Sequence, residues 1–181
     1  MKKDLIETLE IPEGVTVTQE NDFLVVSGQK GDIKRKFDNP KIKVEISGNK
    51  ITIISKFPSK REKAVVLAYK SHLKNAFKGC TEGFVYKLKI CSGHFPMNVS
   101  VANNVLIIKN FLGEKVPRQV QIKDNVKVKV EGNMIMVEGT DKEKVGQVAA
   151  DIEQTTRRPG FDKRIFQDGI YITEKAGKAV Q

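Results

Sequence analysis

A chain of 181 residues, 39 % apolar and 30 % charged, suits a soluble globular protein. No apolar run approaches the ~20 residues that span a bilayer, and the N-terminus lacks an apolar signal region, so a cytosolic protein is expected. The net charge of +10 makes polyanions the natural partners, with nucleic acid and anionic membrane the usual ones.

Residues 1–10 are polar and loosely patterned and read as a short helical turn or an arm. Ile11-Pro12-Glu13-Gly14 is a turn signal. Val15 and Val17 alternate with Thr16 and Thr18, as in a half-buried strand. A second strand is predicted over 23–27 after the Asn21-Asp22 turn, and a third over 33–37 after Gly28-Gln29-Lys30-Gly31. Asn39-Pro40 ends that run. Val44, Ile46, Ile51 and Ile53 then flank Gly48-Asn49 as a hairpin, completing a mostly antiparallel sheet. Ser59-Lys60-Arg61-Glu62 fits a capping box opening a helix over 60–78. Val66, Tyr69, Leu73, Ala76 and Phe77 form its apolar stripe, and Gly79 stands where a left-handed C-cap is expected.

The same design then recurs. After a joining strand at 84–91, Phe95-Pro96, Val99, Val101, 106–108 and Gly113 repeat the first copy in order. Val128, Val130, Ile135 and Val137 flank Gly132-Asn133, 84 residues after Gly48-Asn49. Thr140-Asp141-Lys142-Glu143 reads as a second capping box, followed by the stripe Val145, Val148, Ala149 and Ile152, with Gly160 matching Gly79. A period this long argues for a duplicated domain, not a solenoid. Two α+β domains are predicted, 1–82 and 83–181, each a mostly antiparallel β-sheet with one packed α-helix. Residues 161–173 have no counterpart in the first copy, and the stretch from Thr173 is small and polar and is expected to fray.

Chemistry for an enzyme is thin. P-loop and dinucleotide fingerprints are absent, and acidic residues are scattered. His72 reads as a helix-face residue and His94 as a hydrogen-bonding linker residue without a local carboxylate partner. Cys80 and Cys91 read as reduced, partly buried thiols, and no metal or cofactor is expected. The basic excess is shared, 16 Lys+Arg against 11 Asp+Glu in residues 1–82 and the same in 83–181. Three of the six arginines, however, are Arg157, Arg158 and Arg164. With Lys163 they fall within eight residues, and guanidinium groups grip phosphate bidentately. Thr155 and Thr156 add hydroxyls, while Phe161 and Tyr171 offer either stacking faces for unpaired bases or core packing. Arg157 and Arg158 also suit a helix C-terminal dipole. Lys34, Lys36, Lys41 and Lys43 form a second basic band, read as a solvated strand face.

Several runs resemble one family end to end: Ile11-Pro12-Glu13-Gly14-Val15-Thr16-Val17, Gly28-Gln29-Lys30-Gly31, Asn75-Ala76-Phe77-Lys78-Gly79-Cys80-Thr81-Glu82-Gly83-Phe84, His94-Phe95-Pro96-Met97-Asn98-Val99, Asn110-Phe111-Leu112-Gly113-Glu114-Lys115 and Asp168-Gly169-Ile170-Tyr171. This is the large-subunit ribosomal protein six family, in its archaeal and eukaryotic form. The resemblance implies two similar α+β domains and a non-enzymatic structural role. It also implies direct binding of large-subunit ribosomal RNA near the sarcin–ricin loop and stalk base, beside neighbouring ribosomal proteins, with no membrane and no small-molecule substrate. The RNA-facing residues it implies are Thr155, Thr156, Arg157, Arg158, Pro159, Gly160, Phe161, Lys163 and Arg164. The alternative from another class is an adaptor that binds proteins by strand addition at exposed sheet edges.

Overall fold

The computed structural model describes residues 4–21, 23–162 and 164–180. The chain divides into two compact units, Met1–Glu82 and Gly83–Gln181. The first contains strands β1 (Leu5–Glu10), β2 (Thr16–Glu20), β3 (Phe23–Gly28), β4 (Gly31–Lys36), β5 (Ile42–Ser47) and β6 (Lys50–Ser55), then helix α1 (Lys60–Thr81). The antiparallel strands form two three-stranded sheets, ordered β1-β6-β5 and β2-β3-β4, where a single sheet was expected. The division has a local cause. Gly14 turns the chain at φ +80° between β1 and β2, and Pro40, which has no N–H to donate, interrupts the run between β4 and β5.

The predicted stripe of α1 holds. Val66, Leu73, Ala76 and Phe77 are buried among Leu24, Val26, Ile33, Ile51 and Ile53, while Tyr69 lies at the rim with its ring edge-on to Phe37. At the helix start the Glu62 carboxylate accepts the Ser59 N–H at 2.6 Å, as a capping box requires. The C-terminus differs from expectation. Gly79 lies inside the helix and buried, and the chain turns left-handed only at Gly83, φ +78°. The extra turn is held by Cys80. Its carbonyl accepts the Lys30 N–H at 3.0 Å, and its thiol donates to the Val26 carbonyl at 3.3 Å. Burial, then the nearby Asp32 carboxylate, pushes the Cys80 thiol up to about 11. Gly28 makes this contact possible, since a Cβ there would lie 2.8 Å from both Cys80 Cβ and its carbonyl oxygen.

Residues 4–10 are also corrected. They form no helical turn. Residues 5–10 are β1, paired along its whole length with β6. The alternation is hidden because an inward position holds Glu7, whose carboxylate meets Lys70 at 2.6 Å from α1. A local reading sees a charge there and no strand face.

The second unit contains β7 (Phe84–Cys91), β8 (Asn98–Ala102), β9 (Val105–Lys109), a 3₁₀ turn at Phe111–Gly113, β10 (Arg118–Gln121), β11 (Val126–Glu131), β12 (Met134–Gly139), α2 (Lys142–Thr155), β13 (Gly169–Lys175) and β14 (Lys178–Ala179). Its sheets are ordered β10-β9-β8 and β11-β12-β7-β13-β14. The segment 84–91, read as a joining strand, is thus the centre of five. Both units use a two-residue turn with glycine first, Gly48 at φ +58° and Gly132 at +56°, as a type II′ hairpin demands. The cap of α2 is Asp141 and not Thr140, the carboxylate accepting the Glu143 N–H at 2.9 Å. Helix α2 ends at Thr155, and Gly160, φ +83°, turns a loop beyond it, so it does not occupy the position of Gly79.

Residues 173–180, expected to fray, are held in the sheet. Ala176 and Gly177, φ +50° and +81°, make the tight turn that joins β13 to β14, and the Val180 N–H donates to the Thr173 carbonyl at 2.8 Å. Small polar residues here serve a primed turn and a bulge, where the Thr173 hydroxyl donates to the Lys87 carbonyl at 3.1 Å.

Alanine at Gly28 should destabilise the first unit by about 1–3 kcal/mol through overpacking. At Gly139 a Cβ would meet Val145 Cγ2 at 2.7 Å and the Asn125 carbonyl at 2.9 Å, so alanine there should cost the second unit as much. Native-state hydrogen exchange read separately in α1 and α2 checks both, and unchanged protection in the substituted unit contradicts the close packing.

Candidate nucleic-acid interface

The predicted site residues lie at the end of α2 and in the loop leading to β13, all within the second unit. Their roles differ. The Thr155 hydroxyl donates to the Asp151 carbonyl at 2.7 Å. The Thr156 hydroxyl donates to the Glu153 carbonyl at 3.0 Å and accepts the Ile170 N–H at 2.9 Å. Thr156 is buried, so its hydroxyl ties β13 to α2 and offers nothing outward. The proton of each hydroxyl is thus engaged within the fold, while Thr155 itself is half-buried. The i−4 carbonyl at the helix end takes the proton of the first, and the i−3 carbonyl of Glu153 takes that of the second, to which β13 in turn donates.

The arginines are held to different degrees. Arg157 is exposed, with no ion pair among the described residues. Arg158 is half-buried. Its guanidinium lies over the Phe161 ring, 4.4 Å from the centroid, and 3.4 Å from Glu114. Arg164 is 89 % exposed yet forked onto Asp162, with its closest contact at 2.8 Å. That hydrogen bonding holds the Asp162 carboxyl below its ordinary range. Pro159 and Gly160 are exposed and turn the loop. Lys163 lies outside the described residues.

Sequence reasoning missed Arg118. Its guanidinium grips Glu114 through two hydrogen bonds at 2.7 and 2.8 Å, reaches the Thr155 carbonyl, and lies 4.4 Å over Phe111. Arg118, and then Arg158, keeps the Glu114 carboxyl below its usual range. Glu114 is therefore an anchor for two arginines on different segments. Only an i,i+4 spacing of Glu114 and Arg118 hinted at this.

The loop is fastened at its far end by Asp168, whose side chain is 2 % exposed. The carboxylate accepts the Gly93 N–H at 2.7 Å, the His94 N–H at 3.0 Å and the His94 Nδ1–H at 2.6 Å. Burial pushes this carboxyl up, but those donors outweigh it and hold it at about 2. His94 thus has a carboxylate partner, 74 residues away in sequence, and it serves as a hydrogen-bonding tie. Its ring stacks on Phe166 at 5.0 Å, and Phe166 meets Phe161 edge-on at 4.8 Å. Phe161 and Tyr171 are each 39 % exposed, so neither is core.

Together these residues wall a cleft of about 400 Å³, lined by Leu112, Glu153, Gln154, Thr156, Arg157, Arg158, Phe161, Phe166, Asp168 and Tyr171. Guanidinium groups beside two partly exposed rings, Phe161 with Arg158 over it and Tyr171, suit phosphate contact and base stacking. Among the described residues no cluster of His, Cys, Asp or Glu could hold a metal ion, and no helix is long and apolar enough to cross a membrane. On the first unit, Lys34, Lys36 and Lys41 each pair with a nearby acid, Glu20, Asp38 and Glu62, and Lys43 is exposed, as a solvated face would be.

Asp168→Ala should leave the 93–94 and His94 Nδ1 donors unsatisfied and lower the second unit's stability by about 1–3 kcal/mol. Because the folded pKa lies below the ordinary 3.8, the Asp168 contribution is full above that value and is lost as pH falls toward about 2. Acid unfolding compared with Asp168→Asn, which keeps an acceptor without the charge, should show that component missing in the variant. An identical acid profile in both proteins contradicts the assignment.

A family model described as Ribosomal protein L6 matches residues 11–83 and again 95–169, once in each unit. The "Large ribosomal subunit protein uL6" of Methanosarcina mazei is 48 % identical, the match covering 97 % of this chain and 100 % of the relative. The protein of that name from Methanococcus vannielii is 48 % identical over 96 % of each chain, and that from Nanoarchaeum equitans 47 % identical over 94 % and 93 %. Matched in both of its units and aligned with these archaeal proteins over nearly its whole length, the chain belongs to the ribosomal protein L6 family.

Proposed function

We propose that this chain is a structural component of the large ribosomal subunit, working in the cytoplasm as part of the ribosome and carrying out no catalysis of its own. It binds large-subunit ribosomal RNA near the sarcin–ricin loop and the stalk base, beside neighbouring ribosomal proteins. The reading is supported by the name its relatives carry and by the chain's net charge of +10. The observation that carries it is the cleft at the end of α2, where Arg157 is exposed and unpaired among the described residues and the rings of Phe161 and Tyr171 are partly exposed.

The mechanism is electrostatic and geometric. Each phosphate neutralised by a cation releases counterions, so affinity falls steeply with salt. Arg157 meets phosphate at little internal cost. Arg164 must share its fork with Asp162, and Arg158 is kept in place by Glu114 and Phe161. The two held arginines give the surface its shape, and shape is what folded RNA is recognised by.

Binding to an RNA fragment carrying the sarcin–ricin loop, measured across salt concentrations, tests this. Arg157→Ala should lower the salt slope by about one unit with little loss of stability. The triple change Arg157→Ala, Arg158→Ala, Arg164→Ala should lower affinity and slope further. Unchanged affinity and slope in the triple variant would sink the proposal.

A further inference from the structure

The two units carry the same backbone hydrogen bond at one point. Ile11 N–H donates to the Asn49 carbonyl at 2.9 Å, and Ile90 N–H donates to the Asn133 carbonyl at 2.8 Å. This bond places β1 and β7 in equivalent positions, residue by residue. Antiparallel strands alternate between pairs that exchange both bonds and pairs that exchange none. Continuing the register from Ile11, Leu5, Glu7 and Leu9 bond to β6. Ile6, Thr8 and Glu10 then point their N–H and C=O groups out of the sheet.

Their counterparts in the second unit are Val85, Lys87 and Lys89, and those are covered. The Val85 carbonyl accepts the Ala176 N–H at 3.1 Å, the Lys87 carbonyl accepts the Thr173 hydroxyl at 3.1 Å, and Lys89 stands opposite Tyr171 of β13. Among the described residues β1 has no such strand; its sheet ends there. Of the usual defences of an edge, lysine, proline and a bulge are missing from 5–10, and the one inward-pointing charge, Glu7, is neutralised by Lys70. Ile6 is 60 % exposed beside this edge.

From this we infer that the outer edge of β1 binds an extended, basic polypeptide segment of a partner protein, added as a further strand in the position that β13 fills in the second unit. Charge selects the occupant. Residues 4–13 carry Asp4, Glu7, Glu10 and Glu13 and no cation of their own; Glu7 is paired inward with Lys70, while Glu10, only loosely paired with Lys50 at 3.6 Å, and Glu13 are exposed. Such an edge repels RNA and disfavours a second copy of itself, whose carboxylates would face its own. The inference stands apart from the RNA reading, which concerns the second unit only.

The test uses the full chain and an N-acetylated eight-residue peptide alternating lysine with valine. Binding should slow amide exchange at Ile6, Thr8 and Glu10. The same peptide N-methylated at alternate residues should bind about tenfold more weakly, with no change made to the protein. Thr8→Pro should weaken the unmodified peptide similarly, because that N–H points away from β6. A glutamate–valine peptide should bind less well than the lysine–valine one. Exchange unaltered at the three amides, equal binding of the methylated peptide, or equal binding of the acidic one overturns the proposal. So does protection of those amides by a short RNA, or a dimer in sedimentation that Thr8→Pro dissolves.

Discussion

Backbone pairing on both edges of β7 is the constraint on which the second unit depends. One edge takes β12, as β1 takes β6 in the first unit, and the other takes β13. That second pairing brings the chain back across the sheet after α2, and the returning loop must then be closed at both ends. Thr156 closes it at the helix, receiving the Ile170 N–H, and Asp168 closes it at the 93–94 segment. The segment with the arginines is consequently a bridged loop and not a free tail. A basic tail would order only on its RNA, with the entropy loss charged against affinity. A fastened loop carries much of that ordering within the fold.

The electrostatics of the loop follow the same logic. A cluster of arginines in sequence suggests summed positive potential. In the folded unit Glu114 holds Arg118 and Arg158, and Asp162 holds Arg164, so acids a few residues or many residues away set how each guanidinium is aimed. Charge counting alone would rank the three predicted arginines equally; geometry separates them. Arg118, outside the cluster, is the residue that knits the 3₁₀ turn to the end of α2.

What could be read in advance follows from the range of each interaction. The Gly48-Asn49 and Gly132-Asn133 hairpins were legible because a II′ turn is specified by two neighbouring residues. The stripes of α1 and α2 were legible because helical spacing is local. β1 was hidden by Glu7, whose explanation is Lys70 on another element. The helix end at Gly79 was misplaced because Cys80 prolongs α1 through contacts with β3 and the turn after it. In the site, the arginine cluster and Phe161 stood out as residue types. The burial of Thr156, the anchoring by Glu114 and the pairing of His94 with Asp168 all join segments distant in sequence, and composition carries no trace of them.

The Cys80 thiol has one more consequence. It is fully buried and held near pKa 11, so almost none of it is thiolate at neutral pH, and reagents reach it only when α1 parts from β3. Its rate of alkylation, followed at that residue apart from the half-buried Cys91 of the second unit, is therefore a built-in clock for the breathing of the first unit, readable without any inserted label.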